Sequence, residues 1–278
     1  MIPALIIIGV IILLAGLYLF LIKPRRNHPV PSMLTNTDYA HRGLYDNENG
    51  DGENTLPAFS AASDAGVGIE LDVRLSGDGQ VVVFHDNTLE RLAGRPDRVD
   101  SLPADVLAGV RIGPKRSGIP LLSEVLCSID PETPLCIELK GDNRNTELCC
   151  KVAEIMDNYN GYYSVESFNP FLVGWFRKNR PDVVRGQLVM NMFRLKGASF
   201  GTSLFCTPML LNCVSRPDYI STDIGYRNSL PVTICEKLFH ARIFSWTANT
   251  VEEYAHVRRM GDTVIFQHIP PSSVRRRR

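Results

Sequence analysis

The sequence predicts an α/β chain: a (β/α)8 barrel with a hairpin excursion after its second strand, preceded by one N-terminal transmembrane helix. Three observations carry that expectation. Residues 2–22 contain no charge. The remainder alternates short β-rich runs with helically spaced stretches. Polar residues gather at the ends of the β runs, where barrels of this kind place their chemistry. A length of 278 residues suits one large, well-buried domain behind such a helix. Thirty basic residues balance thirty acidic ones, which removes the electrostatic case for a nucleic-acid binder. Charged residues at 22% and aromatics at 8% exclude wholesale disorder. The seven cysteines are odd in number and lack a C-x-x-C pair, which argues against a disulfide framework or zinc ribbon and fits a reducing compartment.

Read in order, the chain opens with an anchor at 1–22. As a helix this run is roughly 30 Å long, the hydrocarbon thickness of a bilayer. It has neither the basic start nor the small-residue cleavage site of a signal peptide. Lys23, Arg25 and Arg26 follow it, and a basic cluster on this flank alone places the rest of the chain in the cytoplasm. Residues 23–37, with Pro24, Pro29 and Pro31, read as a stiff linker. The barrel occupies 38–271 and a basic tail 272–278. Parallel strands are expected at 38–41, 68–73, 135–140, 162–167, 183–188, 218–222, 242–247 and 263–267. Helices are expected at 56–65, 121–129, 146–158, 170–179, 231–239 and 251–260. The β run at 80–85 follows the second strand too closely for a parallel crossover, and Asp78-Gly79 signals a hairpin. Residues 188–215 are apolar and read most simply as a long helical crossover, with a membrane-dipping flap as the alternative.

The polar residues converge. Glu70 and Asp72 are two apart on one strand and share a face, as do Glu138 and Lys140. Buried carboxylates require partners. A salt-bridge layer with Lys140 and Arg74 is the simpler explanation, yet three acids exceed what one lysine neutralises. Oxygen donors without a Cys or His cluster suit a hard cation, Mg²⁺ or Ca²⁺. If the hairpin loop is 78–79, Asp72 lies opposite His85; if it is 76–79, Glu70 does. Both registers put the imidazole on the carboxylate face. His41 ends the first strand, with Arg42 next. Two histidines among cations and metal-binding acids suit a phosphate ester, whose protons the imidazoles move near neutral pH.

Ala40-His41-Arg42-Gly43, Glu53-Asn54-Thr55-Leu56-Pro57-Ala58-Phe59, Glu70-Leu71-Asp72-Val73 and Val83-Phe84-His85-Asp86 together resemble the glycerophosphodiester phosphodiesterase family. Glu138-Leu139-Lys140, Ser167-Phe168 and Ser245-Trp246-Thr247 extend the resemblance in the same order, over about 38–271. The resemblance implies a metal-dependent barrel enzyme that hydrolyses glycerophosphodiesters to sn-glycerol 3-phosphate and an alcohol. It implies His41 and His85 as the acid/base pair and Glu70, Asp72 and Glu138 as ligands of one divalent cation. Arg42 and Lys140 would contact phosphate, and Glu53 would lie beside metal and glycerol. Trp246 matches an aromatic of the substrate pocket, although by itself it reads equally as a barrel-top core residue.

Two departures stand out. Gly52 replaces a common proline, and Gln267-His268-Ile269-Pro270 replaces a Thr-Asp pair before proline, which puts the pocket rim in doubt. His28, His240 and His256 match no motif and read as surface residues. The alternative activity is that of a related phospholipase acting on a lyso-lipid, with a cyclic phosphate product open. A catalytically dead, membrane-tethered scaffold would have lost an acid or a histidine, and none is lost. Alcohol specificity, native metal, the division of roles between the histidines and oligomeric state are not legible in the sequence.

Overall fold

The computed structural model describes residues 2–25, 28–141 and 146–274. Arg26 and the arginines at 275–278 therefore lie outside the described residues. The strands are β1 Tyr39–His41, β2 Gly68–Leu75, β3 Val81–Val83, β4 Leu135–Leu139 and β5 Tyr163–Ser167, then β6 Val184–Val189, β7 Tyr219–Asp223, β8 Arg242–Ala248 and β9 Thr263–Phe266. Eight run parallel in the order β1-β9-β8-β7-β6-β5-β4-β2, and pairing of β1 with β2 closes the ring. The expected strands and helices all form, with ends within two residues of their expected places.

Aliphatic side chains on the outer faces of the strands pack under helices such as Leu56–Asp64 and Pro170–Asn179, which bury their apolar stripes there. Inside, Tyr39, Cys136, Tyr219, Phe244 and Ile265 fill the barrel floor, with Leu34 closing it from below. Tyr219 stacks on Phe244 with ring centroids 4.0 Å apart. That stack requires Gly186, where a Cβ would lie 2.3 Å from the Tyr219 ring. The floor is thus apolar and full, and the polar residues are left to the upper layers and the rim at the strands' C-terminal ends.

The hairpin departs from the expected register. Val73 pairs with Val83 and Leu75 with Val81, so the loop is 76–80, with the Ser76 amide donating to the Gln80 carbonyl. An odd loop reverses the parity: the Phe84 amide donates to the Asp72 carbonyl, and the register argument for His85 fails. His85 reaches the pocket because β3 stops at Val83 and the chain bends out of the sheet. Residues 188–215 are not one long helix. They form a single turn Met192–Arg194, a helix Phe200–Cys206 and a turn of helix Asn212–Ser215. Gly197 at φ +89° and Pro208 interrupt any longer helix.

Helix Ile2–Ile22 is long and apolar enough to cross a membrane. Its last turns dock on the barrel flank. Tyr18 Oη donates to the Pro208 carbonyl, Asn212 Nδ2 to the Ile22 carbonyl, and the Arg25 amide to the Pro217 carbonyl. The two segments thus run in the same direction. Residues 28–37 continue along the floor, where His28 Nδ1 lies 3.1 Å from Asp218. His28 is largely buried, contrary to the surface expectation, whereas His240 and His256 are exposed.

Candidate active site

The strand registers assemble the cluster. His41 is level with Glu70, Asp72 with Glu138, and Glu138 with Glu166. His41, Arg42, Glu70, His85, Glu138 and Lys140 line one cavity of 190 Å³, walled by Phe168 and Trp246. Asp72 lies fully buried beneath them. Trp246 meets Phe168 edge-on at 5.6 Å, and its indole N–H is buried without a protein acceptor. It is a pocket wall rather than a core residue alone.

Three carboxylates, Glu70, Asp72 and Glu138, offer oxygens within 4.8 Å of one another. Lys140 Nζ sits 2.7 Å from Glu138 and 3.1 Å from Asp72, and Arg42 Nε lies 3.2 Å from Asp72. Among the described residues, Glu70 receives the Arg42 backbone amide at 2.9 Å and the edge of His41 at 3.9 Å. Burial, followed by repulsion from Asp72 and Glu138, pushes the Glu70 carboxyl well above its ordinary range. Burial acts upward on Asp72 too, but Lys140 and Arg42 outweigh it and hold that carboxyl well below the usual range. Burial opposes the charge on Lys140, and Asp72 and Glu138 overcome it, so the ammonium persists. The salt-bridge layer is therefore real but incomplete. Among the described residues, Glu70 has no Lys or Arg side chain within ion-pair distance, and Asp72 Oδ1 accepts no well-directed hydrogen bond. An all-oxygen donor set with excess negative charge fits a divalent hard cation.

The backbone at Arg42 has φ +57°, in the left-handed region, and the surrounding contacts hold it there. Its amide thereby meets Glu70 while its guanidinium spans Glu53 and Asp72. Glu53 is fully engaged: Arg42 at 2.5 Å, Arg91 at 2.7 and 2.8 Å, and Asn47 at 2.7 Å. Burial is overcome by these partners, and the Glu53 carboxyl falls to about 2. It acts here as the clamp that orients Arg42.

The histidines differ in their support. His41 Nδ1 lies 2.6 Å from Gln267 Oε1. That oxygen also accepts from Tyr45 Oη, while Gln267 Nε2 donates to Asn249. The amide is thus oriented, and His41 Nδ1 is the donor. Burial, followed by the Arg42 charge, pushes His41 down to about 3, so the free imidazole is neutral with Nε2 unprotonated. His85 Nδ1 lies 2.6 Å from Asp86 Oδ1, a carboxylate that Arg91 also holds at 2.7 Å.

Four participants escaped the sequence reading. Glu166 lines the cavity, and burial followed by Glu138 raises its carboxyl to about 7. Its signal was a further acid at interior parity on the next strand. Asn54 Nδ2 donates to Asp72 at 2.8 Å, a role hidden within the Glu-Asn-Thr string. Arg91 carries no local pattern, Gln267 shows in the sequence only as a departure at the pocket rim, and the fold brings both to the site.

A profile of the Glycerophosphoryl diester phosphodiesterase family matches residues 41–185. A glycerophosphodiester phosphodiesterase of Caldanaerobacter subterraneus is 40% identical over 109 residues, 36% of this chain and 44% of that protein. A human lysophospholipase D is 34% identical over 121 residues, 39% of this chain and 38% of that protein. The matched region spans less than half the length of either relative. A phosphodiesterase of Oleispira antarctica, solved with the product sn-glycerol-3-phosphate, superposes with a TM-score of 0.70 at 22% identity, covering 86% of this chain and 95% of the other, and shares the fold. The family match begins at His41 and runs through every strand end that carries an acid of the cluster, and on that ground the chain belongs to the glycerophosphoryl diester phosphodiesterase family.

Proposed function

We propose that the chain hydrolyses glycerophosphodiesters to sn-glycerol 3-phosphate and an alcohol. The carrying observation is the 190 Å³ cavity in which two histidines, two cations and the acid cluster meet. Glu70, Asp72 and Glu138 would hold one Mg²⁺ or Ca²⁺, which supplies Lewis acidity and charge neutralisation at the phosphoryl oxygens. Arg42 and Lys140 bind the phosphate anion, and Glu53 with Arg91 keeps the Arg42 guanidinium in place. His41 Nε2 takes a proton from the nucleophile. His85, whose Nδ1 meets the Asp86 carboxylate at 2.6 Å, gives one to the leaving alcohol. Trp246 and Phe168 flank the substrate. Purified full-length protein with Mg²⁺ or Ca²⁺ should convert glycerophosphocholine to glycerol 3-phosphate and choline, followed by ³¹P NMR. An intact diester resonance over the whole assay overturns the reading.

The helix Ile2–Ile22 serves in this reading as a retained membrane anchor. Its last turn packs into the barrel flank, with Ile22 fully buried and its carbonyl accepting from Asn212. A cleaved signal sequence would take that packing with it. Lys23 and Arg25 on this flank support a cytoplasmic catalytic domain. Protease added to intact cells should leave the barrel whole, and digestion from outside reverses the orientation.

A further inference from the structure

The helix Ile2–Ile22 is mounted on the barrel rather than tethered to it. Arg216 Nη1 donates to the Phe20 carbonyl at 2.8 Å and to the Lys23 carbonyl at 2.6 Å, and its guanidinium lies over the Phe20 ring at 4.8 Å. With Asn212 on the Ile22 carbonyl, barrel side chains take up carbonyls that a helix end leaves unpaired. A helix held in this way sets the direction in which the barrel faces.

That direction follows from the docking contacts. Pro181 and Pro217, whose carbonyls accept from Arg25, precede β6 and β7 and so lie at the floor. Pro208, whose carbonyl accepts from Tyr18, lies toward the other end. The neighbouring Thr207 is hydrogen bonded to Met192, just past β6, and to Tyr226, just past β7. From Arg25 back to Tyr18 the chain therefore climbs from the floor to the catalytic rim. Residues 3–17 continue past that level and are exposed throughout, roughly 22 Å of helix at 1.5 Å per residue. A bilayer that covers them has its boundary near Tyr18, level with the rim where His41, Lys140 and Trp246 line the cavity.

The rim beside the helix has the composition of such a boundary. The β6–β7 connection exposes Phe193, Leu195, Phe200 and Leu204, with Phe200 73% exposed. Phe193 and Phe200 meet edge-on with ring centroids 6.2 Å apart, so two parts of the connection form one apolar knob. Arg194 and Lys196, both exposed, alternate with Phe193 and Leu195. Apolar side chains gathered on one exposed segment mark an interaction surface. Interleaved with cations, they match the acyl chains and anionic headgroups of a lipid interface. The anchor stands directly beside them.

We propose that the anchor stands the barrel mouth-down on the membrane, with the segment 193–204 seated in the interface of a bilayer containing anionic lipids as its second point of attachment. This rests on the membrane-anchor reading of Ile2–Ile22 and adds to it the face that meets the lipid. Whatever enters or leaves the catalytic cavity then passes between the rim and the headgroups. The floor, where Met33 is exposed, points away into water.

Full-length protein carrying Phe200→Trp is reconstituted into vesicles of phosphatidylcholine and phosphatidylglycerol, with and without lipids brominated near the carbonyl end of their chains. An interfacial segment lies about 5–10 Å deep, within reach of those bromines, so the added emission should fall about twofold. Wild-type protein supplies the background from Trp175 and Trp246. Met33→Trp, on the floor, should keep its full emission. Replacing Arg194 and Lys196 together by glutamate should release the segment and restore the Phe200→Trp emission, while the anchor still floats the protein with the vesicles. Quenching that survives this charge reversal overturns the part assigned to anionic lipid. Quenching of Met33→Trp in place of Phe200→Trp turns the barrel over, and quenching of neither leaves the segment in water or against a protein. Both results overturn this inference and leave the anchor standing. Protein that does not float with the vesicles overturns both.

Discussion

Chelation should abolish activity, and Mg²⁺ or Ca²⁺ should restore it. Lewis-acid stabilisation of a phosphoryl transition state supplies several kcal/mol, so about 4 kcal/mol corresponds to a loss of roughly three orders of magnitude. The structure identifies the acid that most needs the cation. Asp72 and Glu138 each pair with Lys140, whereas Glu70 has no Lys or Arg side chain in ion-pair contact among the described residues and is pushed upward by burial and by its two acidic neighbours. Glu70→Gln should therefore leave the cation-free melting temperature unchanged or higher, while erasing the rise that the cation produces in the wild type. At a hundredfold excess over Kd that rise is worth about 2.7 kcal/mol, or about 5–10 °C for a domain of this size. The sign with pH follows from competition. Proton and cation contend for a carboxyl whose pKa lies above its ordinary value, so cation affinity increases as pH rises. The acidic limb of the rate profile should then move to lower pH as cation concentration is raised. Full activity after exhaustive EDTA treatment removes the metal from the mechanism, and an immobile acidic limb removes Glu70 from the ligand set.

The sequence disclosed most of the barrel because its information was local: β-rich runs, helical spacing and breakers at the joints. It disclosed the cluster because Glu70 with Asp72, and Glu138 with Lys140, are each two residues apart on a strand, and strand geometry alone puts them on one face. Three things lay beyond that reach. The hairpin parity turned on whether the loop was even, as in both registers considered, or odd, which its Asp-Gly did not decide; His85 arrived by a bend instead of by register. Residues 188–215 were apolar enough for a buried crossover, and only tertiary structure shows that Phe200 and its neighbours face outward. The hydrogen bond between Gln267 and His41 joins residues 226 apart in the chain. A departure from the family's usual residues was visible at Gln267, but not its consequence, an amide where a carboxylate or hydroxyl would act differently on the imidazole.

That consequence separates the two histidines. His41→Ala and His85→Ala should each lower turnover by roughly two to four orders of magnitude, the usual worth of a positioned acid or base. The double variant should lose little more than the worse single, because groups acting as a unit are not additive. The partners predict which is which. Gln267 Oε1 takes the Nδ1 proton of His41 at 2.6 Å and leaves Nε2 with its lone pair toward the site, but an amide offers an imidazolium no charge. Burial and Arg42 disfavour that cation further and hold His41 down to about 3, so it enters the reaction neutral, as a base. Asp86 stands against His85 at 2.6 Å, and its own carboxyl is kept low by the hydrogen bonds from His85 and Arg91, which outweigh its partial burial. The Asp86 carboxylate fixes Nδ1 of that ring and leaves Nε2 to serve the departing alkoxide with a proton, the role assigned to His85 here. A diester with a p-nitrophenol leaving group needs no such proton. It should restore His85→Ala toward wild-type rates and leave His41→Ala impaired. Rescue of His41→Ala instead exchanges the two roles. Near-normal turnover of either single variant on glycerophosphocholine ends the two-histidine mechanism for this chain, since neither ring would then be moving a proton that the reaction requires.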